Sequence, residues 1–161
     1  MATGIEIYGW FKDYFDRNEY PYTTDNDNYI ISAGLSLNGK LESCNILIKC
    51  ADDYAVIHGN INILVDEKLR VVVMDYLMRE NLFINNGSFI IDLRDGEVRY
   101  ALTLDCRERT SISDELIGSY FSFPGVMFDF CGDYLLAVIS GQMSPKEAAE
   151  ESLGRDAESC S

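Results

Sequence analysis

One histidine, three prolines and 13 Lys and Arg side chains against 27 Asp and Glu set the first limits on this 161-residue sequence. With a single imidazole, His58, no two histidines can share a metal ion, and a catalytic triad would have to centre on that residue. The shortage of cations leaves a formal net charge of −14. Nucleic acid, whose phosphates need clustered Lys and Arg, is therefore disfavoured, and so are anionic membranes. A basic protein partner is compatible with this charge, as is plain solubility. Long apolar runs are also missing. The most apolar stretch, Ser119 to Phe130, is broken by Pro124, Gly125 and Asp129, well short of the roughly 18 residues that a membrane span needs. No GxGxxG, GxxxxGK[ST], HExxH or GxSxG occurs, so no cofactor or metal is expected. The opening MATGIEIYGWFKDYF has no basic n-region, continuous apolar core or small-residue cleavage site, and no secretory signal is expected there.

Cysteine spacing excludes a further class. Cys44, Cys50, Cys106, Cys131 and Cys160 are odd in number and contain no CxxC. Free core thiols in a reducing compartment, the cytoplasm, are the expectation, with a zinc site or a disulfide frame as the alternative.

What is present is a patterned globular sequence, 47% hydrophobic. One domain over residues 1–153 is expected, with a frayed tail over 154–161. Ile7, Trp10, Phe11, Tyr14 and Phe15 recur at threes and fours, which predicts an amphipathic helix over Ile5 to Asn18. Pro21 to Asn28 reads as a polar loop. Its Asp25-Asn26-Asp27-Asn28 starts like a calcium loop, but the sixth position is Ile30 rather than Gly and the twelfth is Ser36 rather than Glu.

Three strands should follow. Asn38-Gly39 signals a two-residue hairpin turn that pairs Leu35 with Glu42, Ala33 with Cys44 and Ile31 with Ile46. Asp52-Asp53 turns the chain again and pairs Ile48 with Ile57. Both turns put Ile31, Ala33, Cys44, Ile46, Ile48, Ile57 and Ile61 on one face. Val65, Leu69, Val72, Val73, Tyr76 and Leu77 then form a helical stripe that Asn81 closes. A second hairpin, Leu82 to Leu93 and Glu97 to Cys106 about Asp95-Gly96, pairs Leu93 with Val98 and Phe89 with Leu102. It also sets Asp92 opposite Arg99 and Arg94 opposite Glu97. A helix from Leu116 should stop near Ser122 and Pro124, with another running on to Gly141. Ser144-Pro145-Lys146-Glu147 is a capping box for a short last helix through Leu153.

The order is α-β-β-β-α-β-β-α plus a short C-terminal helix, an α+β class with an antiparallel sheet. It resembles the type III secretion chaperone-like fold. DEKLRVVVMDYLMRENL, NNGSFIIDLRDGEVRYALTLD and DYLLAVISGQMSPKEAAEESL resemble the YbjN family of bacterial proteins, most specifically in the run Phe89 to Tyr100. The resemblance is clearest from Asp66 to Leu153 and departs at Ser119 to Cys131. It implies a sensory-transduction or stress-response regulator without established catalytic residues, which binds protein and forms homodimers.

Three sets of residues are candidates for function. The second face of the sheet carries Asn45, Leu47, His58, Asn60, Asn62, Asp92, Arg99 and Thr103, a solvated surface or a partner site. Gly118, Ser122, Gly125 and Gly132 form a small-residue stripe, for close packing within the domain or for a dimer. Trp10, Phe11, Phe121, Phe123 and Phe128 are a plain core or an aromatic cavity for a small ligand. A hydrolase built on His58 is a remote reading, and Glu115, Asp129 and Asp133 are solvated carboxylates or the lining of a cleft.

Overall fold

Thr3 and Glu6 close a capping box: the Glu6 amide donates to the Thr3 hydroxyl at 3.3 Å, and the Thr3 amide donates to the Glu6 carboxylate at 2.9 Å. The box opens α1 (Gly4–Arg17) in a computed structural model that describes residues 1–159. Ile7, Tyr8, Phe11 and Phe15 form its buried face, while Trp10 and Tyr14 sit half-buried at its margin. Five further elements are β1 (Thr23–Asp25), β2 (Ile30–Ser36), β3 (Ser43–Ala51), β4 (Tyr54–Leu64) and, after a 3-10 turn at Glu67–Leu69, α2 (Arg70–Asn81). Then come β5 (Ser88–Ile91), β6 (Glu97–Asp105), α3 (Asp114–Ile139) and α4 (Pro145–Ser159).

The strands form one antiparallel sheet in the order β1-β2-β3-β4-β6-β5. Two rows cross its inner face: Ile31, Ile48, Ile57, Leu102 and Ala33, Ile46, Gly59, Tyr100, Phe89. All nine are buried. Burying each large apolar side chain among them is worth about 1.5–3 kcal/mol, so these two rows dominate the choice of face.

Several expectations need correction. The segment Pro21 to Asn28 is not all loop, because β1 adds a sixth strand beside β2. Its turn is closed by Asp25, whose carboxylate accepts from the amides of Asp27 and Asn28 at 3.1 and 3.2 Å. Neither the Asn38-Gly39 nor the Asp95-Gly96 turn is a two-residue one. Ser36 pairs with Ser43 and Leu35 with Cys44, while Phe89 pairs with Tyr100 and Ile91 with Val98. Both registers lie two residues from expectation, and because strand side chains alternate with period two, every face assignment survives. The Asp52-Asp53 turn has the expected register, Ile48 with Ile57.

The physical reason for the first shift lies 90 residues away. The Asp129 carboxylate accepts from the Asn38 and Gly39 amides at 2.7 and 3.3 Å, and Asp133 accepts from the Lys40 amide at 2.9 Å. These acceptors hold a wider loop open. The left-handed residue is Glu42 (φ 66°), not Asn38 or Gly39. At the second turn, Gly96 (φ 85°) accepts the amide of Val65, and Arg70 Nη1 donates to the Leu93 carbonyl at 3.1 Å. Arg94 bonds Asp92 rather than facing Glu97, and Arg99 meets Asp92 diagonally at 4.0 Å. β5 begins at Ser88 rather than at Leu82. Asn81 substitutes for a neighbouring strand along its edge, exchanging two hydrogen bonds with Phe89 at 2.7 and 2.9 Å.

Two helix expectations also change. Pro124 does not divide the last helical region, and α3 runs unbroken through it for 26 residues. An interior proline costs about 3 kcal/mol, but Phe121, Pro124 and Phe128 are all buried, and that burial outweighs it. By length and composition alone α3 is long and apolar enough to cross a membrane; here Ile117, Phe128, Leu135 and Val138 are packed into the core. α4 continues to Ser159, beyond Leu153, and Cys160 lies outside the described residues. Val72, expected on the inner stripe of α2, is exposed.

α3 meets the sheet where it has no side chain. A Cβ at Gly59 would stand 2.4 Å from Pro124 Cβ and 3.1 Å from Cys44 Sγ, whereas one at Gly9 in α1 would meet nothing within 4 Å. Gly59→Ala is expected to destabilise by about 1–3 kcal/mol or more through overpacking. Gly9→Ala should gain about 0.5–1 kcal/mol from helix propensity. Urea unfolding midpoints of the two variants check both signs. Cys44, Cys50, Cys106 and Cys131 are buried thiols, and burial pushes the first two up to about 12. In Cys160→Ser protein at about pH 8, these four thiols should resist an aromatic disulfide reagent until the chain is unfolded. Rapid labelling of the native protein would contradict their burial.

Candidate protein-binding face and apolar cleft

All four helices pack against the inner rows or one another, and among the described residues no element covers the outer face of the sheet. That face is built from the alternate residues of the same strands. One row across it is Gly34, Asn45, Asn60, Arg99 and Ile90; the next is Leu47, His58, Ala101 and Ser88; a third is Ile30, Lys49, Val56 and Thr103. The sheet thus brings Asn45, Asn60 and Arg99 side by side, with Leu47 and His58 directly adjacent and Thr103 one row further. Asn62 lies beyond the irregular stretch between Asn60 and Leu64, beside a shallow depression shared with Ser43, Asn45 and Asn60. Asp92 sits past the end of β5, held by Arg94 and Arg99.

The polar atoms of this face are unequally satisfied. Ser32 Oγ donates to Asn45 Oδ1 at 3.1 Å. Asn60 Oδ1 and Arg99 Nε are buried without a hydrogen-bond partner, although Arg99 Nε stands 3.5 Å from Glu97 Oε1. Partial burial and the nearby Arg99 charge hold the His58 imidazole below its usual pKa, so it is neutral at pH 7. Leu47 and Ala101 are its cross-strand neighbours, and neither carries a nucleophile or an acid.

The small-residue stripe is placed differently. A Cβ at Gly125 would meet Leu35 Cδ1 at 3.0 Å, one at Gly132 would meet Leu41 Cδ1 at 2.5 Å, and one at Gly118 would meet the Tyr14 hydroxyl at 2.9 Å. The chain's own β2–β3 hairpin and α1 therefore occupy it, and Ser122 is exposed at its margin. Asp129 and Asp133, weighed as cleft acids, grip the hairpin tip, and Glu115 is exposed in the first turn of α3.

Nor do the five aromatics form a cavity. Phe11, Phe121 and Phe128 are buried in the core, and Phe121 packs edge-on against Phe15 and Tyr20 with ring centroids 5.0 and 5.2 Å apart. Phe123 lines an open space instead. That space is a cleft of about 380 Å³ among the loop after α2, α3 and Leu153 of α4.

Glu80 lies in the floor of this cleft and is 2% exposed. Ser152 Oγ donates to it, and the adjacent Tyr76 hydroxyl donates to the Cys131 carbonyl at 3.3 Å, so this polar cluster ties α2, α3 and α4 together. Glu80 falls at the i+7 position of the stripe that starts at Val73, a spacing that could have flagged it as inward-facing. Burial raises its pKa above the usual 4.5, against the opposing effect of those polar neighbours. The folded state therefore holds this proton more tightly than the unfolded chain does. Its contribution to stability is complete below pH 4.5 and is lost as pH rises through the folded pKa. Urea midpoints measured from acid to mildly alkaline pH should show wild type losing stability relative to Glu80→Gln as pH rises. A constant gap between the two would refute the assignment.

No family model matches the chain, and no curated protein matches it. Solved structures do. The crystal structure of YbjN from E. coli, designated a candidate transcription regulator, matches with a TM-score of 0.56 at 6% identity, over 79% of this chain and 92% of that one. The crystal structure of the ExsC-ExsE complex matches with a TM-score of 0.49 at 9% identity, over 80% of this chain and 95% of that one. The likeness to YbjN shows a common fold, an α+β architecture with an antiparallel sheet, the class expected from the order of elements.

Proposed function

We propose that this chain is a non-catalytic protein-binding module, chaperone-like or regulatory, that receives its partner on the outer face of the sheet. One observation carries the reading: the helices share one side of a six-stranded sheet and leave the other bare. That bare side mixes Leu47, Val56 and Ala101 with Asn45, Asn60 and Arg99, the mixture of apolar and hydrogen-bonding groups that protein interfaces use. The non-catalytic part is supported by the apolar neighbours of His58. The regulatory form is supported by the designation of YbjN, and a reducing, cytoplasmic location by the buried thiols of Cys44, Cys50 and Cys106.

Homodimerisation belongs to the same proposal. On α2 and at its C-cap, Val71, Met78 and Leu82 are 63%, 62% and 77% exposed at positions i, i+7 and i+11, an outward apolar stripe. Asp75 and Arg79, exposed between them, neutralise each other at 2.8 Å, and Glu80 is turned inward. On a molecule of net charge −14 this is a surface where a second copy meets little repulsion.

Two measurements test these statements. Ala101→Trp and Asn45→Trp, both on the bare face, should abolish recovery of a specific protein partner from the native cell while leaving the unfolding midpoint unchanged. Equal recovery by the variants, or none by wild type, overturns the face. Light scattering should give twice the monomer mass for wild type and the monomer mass for Met78→Glu; a monomeric wild type removes the dimer.

A further inference from the structure

The cleft beside α2 and α3 is separate from the sheet face, and nothing in the protein-binding reading uses it. Its volume of about 380 Å³ falls within the range of small-molecule sites. Phe83, Ile84, Phe123, Val126, Met127, Phe130 and Leu153 make its walls apolar, and Asn85 and Asn86 stand at its rim. Phe83 and Val126 are 61% and 56% exposed, apolar surface that an occupant would cover. Among the described residues, Glu80 is the one ionisable residue in the lining.

We propose that this cleft binds a small, largely apolar molecule carrying a single amine, with its body against Phe83, Phe123, Met127 and Phe130 and its amine directed at the Glu80 carboxyl. The apolar walls select the body. The charge selects the head group. An anionic ligand would approach a buried carboxyl on a protein of net charge −14, whereas an ammonium group supplies the counter-charge that the apolar surroundings deny to Glu80. Glu80 keeps capacity for it: a carboxylate has about four acceptor sites, and Ser152 Oγ donates to one of its oxygens while the Tyr76 hydroxyl donates to the Cys131 carbonyl instead. The amine would take a further site.

Three probes of one shape and different charge isolate the head group: tryptamine, its neutral alcohol analogue tryptophol, and indole-3-acetate. Calorimetric titration and amide-shift mapping of the full chain should show saturable tryptamine binding that moves the amides of Phe83 to Asn86, Val126 and Met127. Tryptamine should bind at least about tenfold more tightly than indole-3-acetate. Glu80→Gln should reduce that preference to within about twofold, and Val126→Trp, a substitution at an exposed position, should abolish binding of all three. The proposal is overturned by unsaturable tryptamine shifts, by a preference that persists in Glu80→Gln, by unchanged affinity in Val126→Trp, or by shifts that map to the sheet face. Because the readout is local to the cleft, its failure leaves the sheet-face reading standing.

Discussion

Pro124 of α3 rests on the bare backbone of Gly59 in β4, where any side chain would stand inside van der Waals distance of the proline ring. Much of the molecule follows from that close approach. It seats a 26-residue helix across the inner rows of the sheet, so that Phe121 and Phe128 reach the core on either side of the contact. It also carries Asp129 and Asp133 over the tip of the β2–β3 hairpin, where their carboxylates capture three backbone amides. The opposite flank of the same helix presents Phe123, Val126, Met127 and Phe130 to the cleft. One steric allowance thus positions the hairpin and a wall of the cleft together.

The two surfaces differ in how they come about. The outer face of the sheet is an unavoidable product of alternation, since filling one side with isoleucine leaves the intervening residues on the other. Its mixture of amides, hydroxyls and small apolar groups suits a second protein better than a small ligand, which needs concavity to lose most of its hydration. The cleft is the reverse case. It arises where α2, α3 and α4 meet imperfectly, and it is organised around Glu80, whose polar cluster with Ser152, Tyr76 and Cys131 joins the three helices.

Glu80 also shows why a polar group is tolerated in such a position. An unpaired buried carboxyl would be expensive, but the hydrogen bond from Ser152 and the adjacent polar groups of Tyr76 and Cys131 reduce the cost. A residue of this kind is among the harder ones to recognise by pattern, because composition places glutamate outside and only its partners explain its burial. Ser152, which donates to it, is 72 residues away in the chain.

Local periodicity was enough to assign sheet faces, the first helix, the Asp52-Asp53 turn and the adjacency of Leu47 with His58, because alternation and helical spacing depend only on near neighbours. Asn45, Asn60 and Arg99 were legible as members of one face for the same reason, and even a two-residue error of register left them there. Tertiary structure decided the rest. Turn length at Asn38-Gly39 answers to Asp129, continuity of α3 through Pro124 answers to the sheet beneath it, and the cleft answers to three helix ends. Each depends on groups far apart in sequence, whose interaction energy exceeds the local preference and is invisible until the chain has closed on itself.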